Sequence, residues 1–133
     1  MKKLILLTTL LLPLIMFSQT QLGADINGEA IGDESGRSVS SSSDGTIVAI
    51  GADRNDGGGS DSGHVRVYQY SGSTWTQLGG DINGEAAYDY SGWSVSLSSD
   101  GTIVAIGAYY NDGNGSNAGH VRLYSWDGTA WVQ

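Results

Sequence analysis

The stretch SVSLSSDGTIVAIGA at residues 94–108 decides the fold, and SVSSSSDGTIVAIGA at residues 38–52 repeats it. Polar and apolar residues alternate over residues 94–98, as in a β-strand with one buried face. Asp100-Gly101 predicts a type I′ hairpin turn, in which both central residues have positive φ. The nearly continuous apolar run at residues 102–108 is typical of a strand covered on both faces. The stretch therefore predicts an antiparallel hairpin that must be packed between other sheets.

This hairpin belongs to a longer internal repeat. QLGADINGEA from Gln21 recurs as QLGGDINGEA from Gln77, and the register set by these two glutamines then holds without a gap to Gln133. About two-thirds of the aligned positions are identical, far above chance for a period in the propeller and solenoid range. The chain therefore consists of a leader at residues 1–19, a first unit at residues 20–76 and a second unit at residues 77–133.

Each unit contains four predicted strands and no apolar period of 3.6 residues. In the second unit, HVRLY at residues 120–124 alternates again, and a turn at Asp127-Gly128 leads to a last strand that begins at Trp131. Such a unit cannot bury its second strand alone, so like sheets must stack on it, as in a propeller. A β-sandwich is the alternative, but it does not require an exact repeat. The predicted fold class is all-β, with two four-stranded antiparallel blades of an incomplete β-propeller.

The units resemble FG-GAP repeats, the blades of integrin-α-type propellers and of many secreted bacterial proteins. The matching segments are SGRSV, IGA and GHVRVY in the first unit, and SGWSV, IGA and GHVRLY in the second. Ser35 and Ser91 replace the family's Phe, and Asp53 and Tyr109 replace its Pro. The resemblance implies a variant without the calcium loop, because a short Asp-Gly turn stands where calcium-binding members carry that loop.

The N-terminal segment MKKLILLTTLLLPLIMFSQ, at positions 1–19, predicts a bacterial signal peptide. Lys2 and Lys3 precede an apolar run from Leu4 to Phe17 that is shorter than the roughly 18 to 20 residues of a membrane-spanning helix. A retained N-terminal anchor is the alternative. We expect a protein that is secreted or held at the bacterial cell surface, with no membrane insertion after cleavage. The absence of cysteine excludes stabilisation by disulfides.

The chain is strongly acidic. Its formal net charge is −8, and removal of Lys2 and Lys3 with the leader leaves four arginines against fourteen acids, or −10. Such a surface repels nucleic acid and anionic membranes, because phosphate binding needs clustered Lys and Arg. It suits divalent cations or simply a well-solvated exterior.

Two acidic loops carry oxygen side chains at positions 1, 3, 5 and 9, a spacing that allows alternate residues of a curled loop to converge on calcium. Against calcium, position 5 is Glu, and Asx residues next to Gly are ordinary turn formers. We expect no other cofactor. His64 and His120, one per unit, are interpreted as packing or turn positions. The candidate metal ligands are Asp25, Asn27, Glu29 and Asp33 in the first unit and Asp81, Asn83, Glu85 and Asp89 in the second.

Aromatic residues in or beside loops enrich the second unit only. They offer stacking surfaces for a protein or glycan ligand, and they are Tyr88, Tyr90, Trp93, Tyr109 and Tyr110.

These features predict an extracellular, non-enzymatic binding or adhesion module. The alternatives are a structural cell-surface repeat protein and a non-catalytic domain of a secreted enzyme; the innermost strands offer only hydroxyl groups for chemistry. Closed propellers have about four to eight blades, so we expect further blades in the same chain or self-assembly of several copies.

Overall fold

The computed structural model describes residues 19–133, which form two antiparallel β-sheets and no helix. The first sheet, blade 1, has the order β1 (Ser38–Ser41), β2 (Ile47–Ala52), β3 (His64–Tyr70) and β4 (Trp75–Gln77), with β5 (Ile82–Asn83) also paired to β3. The second sheet, blade 2, has the order β6 (Ser91–Leu97), β7 (Ile103–Ala108), β8 (His120–Trp126) and β9 (Trp131–Val132). The predicted fold class is confirmed. The predicted signal peptide lies outside the described residues, apart from Gln19.

The last strand of blade 1 crosses the boundary between the two sequence units. β4 pairs with the end of β3 through Tyr70↔Trp75, and β5 pairs with its beginning through His64↔Asn83. Between them, the Leu78 amide donates to the Val67 carbonyl at 2.8 Å. The segment Asp81-Ile82-Asn83 of the second unit therefore completes the sheet of the first.

The hairpin connections differ from the predicted type I′ turns. Only the glycines, Gly45 (φ 72°) and Gly101 (φ 74°), have positive φ, and Asp44 and Asp100 do not. The Asp100 Oδ1 atom instead accepts hydrogen bonds from the Thr102 amide at 3.1 Å and from the Thr102 hydroxyl at 2.8 Å. This local bonding holds each Asp in an Asx-type turn of a longer, five-residue connection between the strands. The type I′ prediction was wrong because it ignored the side-chain acceptor.

The hydrophobic core lies between the blades. Because side chains alternate along a strand, each sheet has two faces. We name face A the side that carries Ala49 in blade 1, and face B the opposite side, which carries Val104 in blade 2. Face A of blade 1 packs on face B of blade 2, and the buried cluster between them consists of Ala49, Val65, Val67, Ile82, Val104, Ile106 and Tyr124.

Gly51 allows the two backbones to approach closely at this junction. A Cβ atom at this position would overlap the Gly92 carbonyl of blade 2. Nearby, the Ser38 hydroxyl donates to that same carbonyl at 2.7 Å, and the Leu97 amide donates to the Ser40 hydroxyl at 2.9 Å. Backbone contact and serine hydrogen bonds therefore set how blade 2 stacks on blade 1.

Candidate functional site

The five aromatic residues singled out in the second unit lie together at one end of the blade junction. Tyr88 and Tyr90 precede β6, Trp93 lies within it, and Tyr109 and Tyr110 follow β7. Ring centres are 4.6 Å apart for Trp93 and Tyr109, 4.3 Å for Tyr109 and Tyr110, and 5.6 Å for Tyr90 and Tyr110. These separations suit tilted aromatic packing. We call these five residues the aromatic cluster.

Two arginines from blade 1 pack on the aromatic cluster. The Arg37 guanidinium lies 3.9 Å from the centre of the Trp93 ring, and that of Arg54 lies 5.8 Å from the centre of the Tyr90 ring. Both distances are within the range of cation–π attraction. Desolvation, with smaller contributions from Tyr110 and Tyr90, raises the pKa of Tyr109. The phenol is therefore a neutral hydrogen-bonding group at physiological pH.

The cluster borders a pocket of about 420 Å³. Polar groups from Arg54, Asp112 and Asn117 line it beside the tyrosine rings. Tyr88 is 57% exposed and Tyr110 is 40% exposed. Aromatic surface with a few polar groups in a concave site is typical of ligand pockets.

Backbone strain accompanies this pocket. Tyr88 (φ 66°) and Tyr90 (φ 54°) have left-handed backbone conformations, which cost a residue with a side chain about 1–2 kcal/mol. Gly32, without a side chain, occupies the position in the first unit that matches Tyr88. Such strain concentrates at functional sites, where the surrounding structure maintains it.

The acidic loops do not gather their four predicted ligands around one point. Among residues 19–133, the acids of a single loop form no group of three with ligand atoms within 4.8 Å of one another. Asp25 accepts a hydrogen bond from the Gln21 side chain at 2.8 Å, and Asp81 accepts one from Gln77 at 2.7 Å. The carbonyl of Asn27 accepts from the Arg66 guanidinium at 2.8 Å, as that of Asn83 does from Arg122.

The ninth position of each loop has a structural role. Asp33 is buried and accepts hydrogen bonds from the Ala30 amide at 3.1 Å and from the Asn55 side chain at 2.9 Å. Asp89 is bonded in the same way by Ala86 at 3.1 Å and by Asn111 at 2.8 Å. These carboxylates hold each acidic loop against the connection that follows the second strand of the blade, through Asn55 in blade 1 and Asn111 in blade 2.

One acidic group is assembled from separate segments. Glu29 of the first loop and Asp81 of the second lie beside His64, and their ligand atoms are all within 4.8 Å of one another. The sequence prediction included both acids but placed them in different sites, and it interpreted His64 as structural. The available signal was the recurrence of one histidine per unit, but the sequence did not show which acids would face it.

Comparison with models of protein families identifies a known repeat within the second unit. Residues 83–124 match the model of the FG-GAP repeat family. The chain carries an FG-GAP repeat. The family prediction is confirmed on the segment that contains SGWSV, IGA and GHVRLY, and the first unit carries the similar motifs SGRSV, IGA and GHVRVY in the same register. A search of curated proteins found no match for the chain.

Both units use their Asp-Gly turns for structure. The Asp100 Oδ1 atom accepts hydrogen bonds from the hydroxyls of Ser98 and Thr102 and from the Thr102 amide. Asp44 is bonded in the same way by Ser42 and Thr46. Within the described part of the FG-GAP chain, no helix is long and apolar enough to cross a membrane.

Proposed function

We propose that this chain is an extracellular, non-enzymatic binding module, in which FG-GAP blades are the scaffold and the aromatic cluster is the ligand surface. The observation that carries the proposal is the pocket of about 420 Å³ lined by the tyrosines of the second unit. The first unit has Asp53 and Arg54 in place of Tyr109 and Tyr110, so the pocket is a specialisation of one unit and not a requirement of the repeat.

We favour a glycan as the ligand. The exposed ring faces offer flat apolar surface, while Asp112, Asn117 and Arg54 supply an acceptor, an amide and a donor at the same pocket. A peptide ligand would use the same rings but also needs backbone partners, such as an open strand edge. The signal-like leader and the acidic charge support a role outside the cell, away from nucleic acids.

The proposal is tested by replacing the aromatic pair with the residues of the first unit. The double variant Tyr109→Asp/Tyr110→Arg is expected to lose binding to the oligosaccharide recognised by the wild-type chain on a glycan array, with affinity then measured by calorimetry. Tyr70→Trp is the matched control, because it also introduces the other unit's residue but lies at the Tyr70–Trp75 ring pair, outside the aromatic cluster. Undiminished glycan binding by the double variant, or binding only to peptides, would contradict the proposal.

The Tyr88→Gly variant separates ligand binding from folding. Glycine relieves the left-handed strain at this position, so the melting temperature should rise, while glycan affinity should fall with loss of the exposed ring. A parallel fall of both quantities would show that Tyr88 supports the fold instead of the ligand.

A second candidate function, a structural surface component built by self-association, is favoured by the two open blade faces. On face A of blade 2, Ile103, Val121 and Leu123 are 46%, 63% and 58% exposed. Their counterparts in blade 1 include Val65 and Val67, which are 0% and 1% exposed beneath blade 2. Blade 2 therefore presents the same kind of face that blade 1 buries.

The complementary surface is face B of blade 1, where Val39 is 63% exposed. A second copy of the chain could stack face B of its blade 1 on face A of this blade 2. The contact would repeat the one that blade 2 makes with blade 1 inside the chain. Within the chain, the Ser43 amide donates to the Ser99 carbonyl at 2.9 Å across the junction. Between copies, Ser99 would be the donor and Ser43 of the second copy the acceptor. Such a head-to-tail contact produces a ring if it closes and a filament if it does not.

Sedimentation velocity of the full chain over a range of concentrations tests this association. We expect oligomers that the Leu123→Asp substitution dissociates, because it places a charge on the open apolar face. Ser73→Asp is the control, since Ser73 is exposed in the turn between β3 and β4 and the substitution adds the same charge outside the open apolar faces. A wild-type chain that sediments as a monomer at every concentration would exclude self-association through these faces.

A further inference from the structure

His64, the first residue of β3, belongs neither to the aromatic cluster nor to the open apolar faces. It is 1% exposed, and its Nδ1 atom is buried without a hydrogen-bond partner. A buried polar atom without a partner is costly, so the unpaired imidazole nitrogen beside two acids is a candidate metal ligand. Its counterpart in the second unit, His120, is 25% exposed, and no strand within residues 19–133 covers it as β5 covers His64.

Two carboxylates face this nitrogen from different segments. The Nδ1 atom is 3.8 Å from the Glu29 Oε2 atom and 3.9 Å from the Asp81 Oδ2 atom. Both distances exceed a hydrogen bond. Three ligands bound at about 2.1 Å to a tetrahedral cation would be about 3.4 Å apart. The two separations from the imidazole nitrogen exceed this value by about half an ångström, and the separation between the two carboxylates is at most 4.8 Å.

The surroundings of the three groups suit a divalent cation. Glu29 and Asp81 are partly exposed, with side-chain exposures of 44% and 30%, so an ion can enter from solvent. Burial lowers the pKa of His64, against the opposing effect of Asp81, and the neutral imidazole is the form that binds metals. The Arg66 guanidinium lies 3.5 Å from the Glu29 Oε1 atom, and the Oε2 atom, which faces His64, accepts only a long hydrogen bond of 3.5 Å from the Asn55 side chain.

We propose that Glu29, His64 and Asp81 form a binding site for a divalent transition-metal cation, with Zn²⁺ as the test ion. One imidazole nitrogen and two carboxylate oxygens are a ligand set that Zn²⁺ accepts, with solvent in the remaining position. The ion would join three parts of the fold: the segment before β1, the start of β3 and the segment between β4 and β5. It would therefore stabilise the closure of blade 1 by the second unit.

The repeat supplies a matched control within the same chain. His120 Nδ1 lies 3.7 Å from the Glu85 Oε2 atom, but no third ligand completes this pair among the described residues. Asp25 is the counterpart of Asp81, and it lies outside the three-residue group. The proposal thus requires His64 and Asp81, and it predicts that His120 and Asp25 are dispensable for binding by a single copy.

Calorimetric titration with Zn²⁺ tests the site. It is carried out in the Leu123→Asp background, so that a second copy cannot complete the His120 pair. We expect one Zn²⁺ per chain, a higher melting temperature with Zn²⁺, and a displaced ¹⁵N resonance of His64 Nδ1. Asp81→Asn should weaken binding by more than the roughly 10- to 100-fold that loss of an outer-shell partner costs, whereas Asp25→Asn should bind as the parent does.

Each outcome bears on the proposal. Because Asp81 is partly exposed, Asp81→Asn keeps the test valid even if His64→Asn fails to fold. Absence of Zn²⁺ binding, equal losses in the Asp81 and Asp25 variants, or equal losses in the His64 and His120 variants would overturn the three-ligand site. The experiment does not involve the aromatic pocket, so its result is independent of glycan binding.

Discussion

At a few single positions the two nearly identical units carry different residues, and these differences create the cation–π contacts across the blade junction. Blade 1 contributes cations where blade 2 contributes rings, so Arg37 packs on Trp93 and Arg54 packs on Tyr90. Two copies of the first unit would place an arginine opposite Arg37, and two copies of the second would leave the rings without a cation. The four exchanged pairs, first unit to second, are Glu34 to Tyr90, Arg37 to Trp93, Asp53 to Tyr109 and Arg54 to Tyr110.

Asp53 is the least favourable residue of this exchange. It is 1% exposed and its Oδ1 atom has no hydrogen-bond partner. Burial raises the pKa of Asp53, with a further increase from Glu34. The folded state therefore favours the protonated acid, and its contribution to stability is present below the unfolded pKa and is lost as pH rises through the folded pKa. We predict that Asp53→Asn stabilises the chain at pH 7 by about 1 kcal/mol, and that the gain disappears near pH 3.

Thermal unfolding of both chains at the two pH values measures this difference. Asp56→Asn, a change of the same kind at an exposed position of the following loop, should alter the melting temperature little. A gain for Asp53→Asn that is equal at both pH values would show that shape, and not charge, accounts for it.

At the scale of elements, the connection between the first two strands of each blade depends on one carboxylate. Three hydrogen bonds to Asp100, led by that from the Ser98 hydroxyl, lower its pKa to about 2. Asp44 is lowered in the same direction, with the Ser42 hydroxyl as the largest cause. In each connection these hydrogen bonds all go to the Oδ1 atom, so one carboxylate oxygen closes the turn between the two strands.

The depressed pKa leads to a defined acid sensitivity. Asp100 contributes stability that is present above its unfolded pKa of about 3.9 and is lost as pH falls through about 2. We predict that Ser98→Ala raises the pKa of Asp100 toward 3.8, as measured by carboxyl ¹³C titration. The variant should also lose less stability than the wild type between pH 4 and pH 2.

Ser96→Ala provides the comparison for this titration, because Ser96 lies two residues before Ser98, on β6, and does not bond to Asp100. An unchanged pKa of Asp100 in Ser98→Ala would mean that the amide and the hydroxyl of Thr102 hold the carboxylate without Ser98.

At the scale of the molecule, the stacking of the blades should show in the unequal cost of one substitution at two matched sites. Gly51→Ala places a Cβ atom against the Gly92 carbonyl, a backbone atom of the other blade. Gly107→Ala at the equivalent position meets only the Ser94 side chain, which can rotate away. We predict a loss of about 1–3 kcal/mol for Gly51→Ala, as for an overpacked core, and a clearly smaller loss for Gly107→Ala.

Urea unfolding in dilute solution measures both free energies. Equal losses would indicate that the glycines are required within their own sheets, through Ser38 and Ser94, and not for the approach of the blades.

Much of the fold was predictable because its determinants are local. Alternation in SVSLS, the apolar run of β7 and the recurrence of the whole unit predict strands, their order and their antiparallel pairing. The loop aromatics of the second unit were predicted as a surface, and they do lie together. The reason is that the start of β6 and the end of β7 are neighbours in an antiparallel hairpin. The turn type was missed, since an Asx hydrogen bond competes with the backbone geometry that Asp-Gly usually adopts.

The sequence by itself determined that this chain is a pair of β-blades, because a two-residue alternation and an exact repeat leave little choice of element or order. Only the tertiary structure decided which face of each blade is covered and which acids meet a histidine. Glu29, His64 and Asp81 come from three segments. From the sequence, each acid was assigned to a separate site within its own loop. Their convergence depends on β5 pairing across the repeat boundary with β3, a long-range contact that no local pattern specifies.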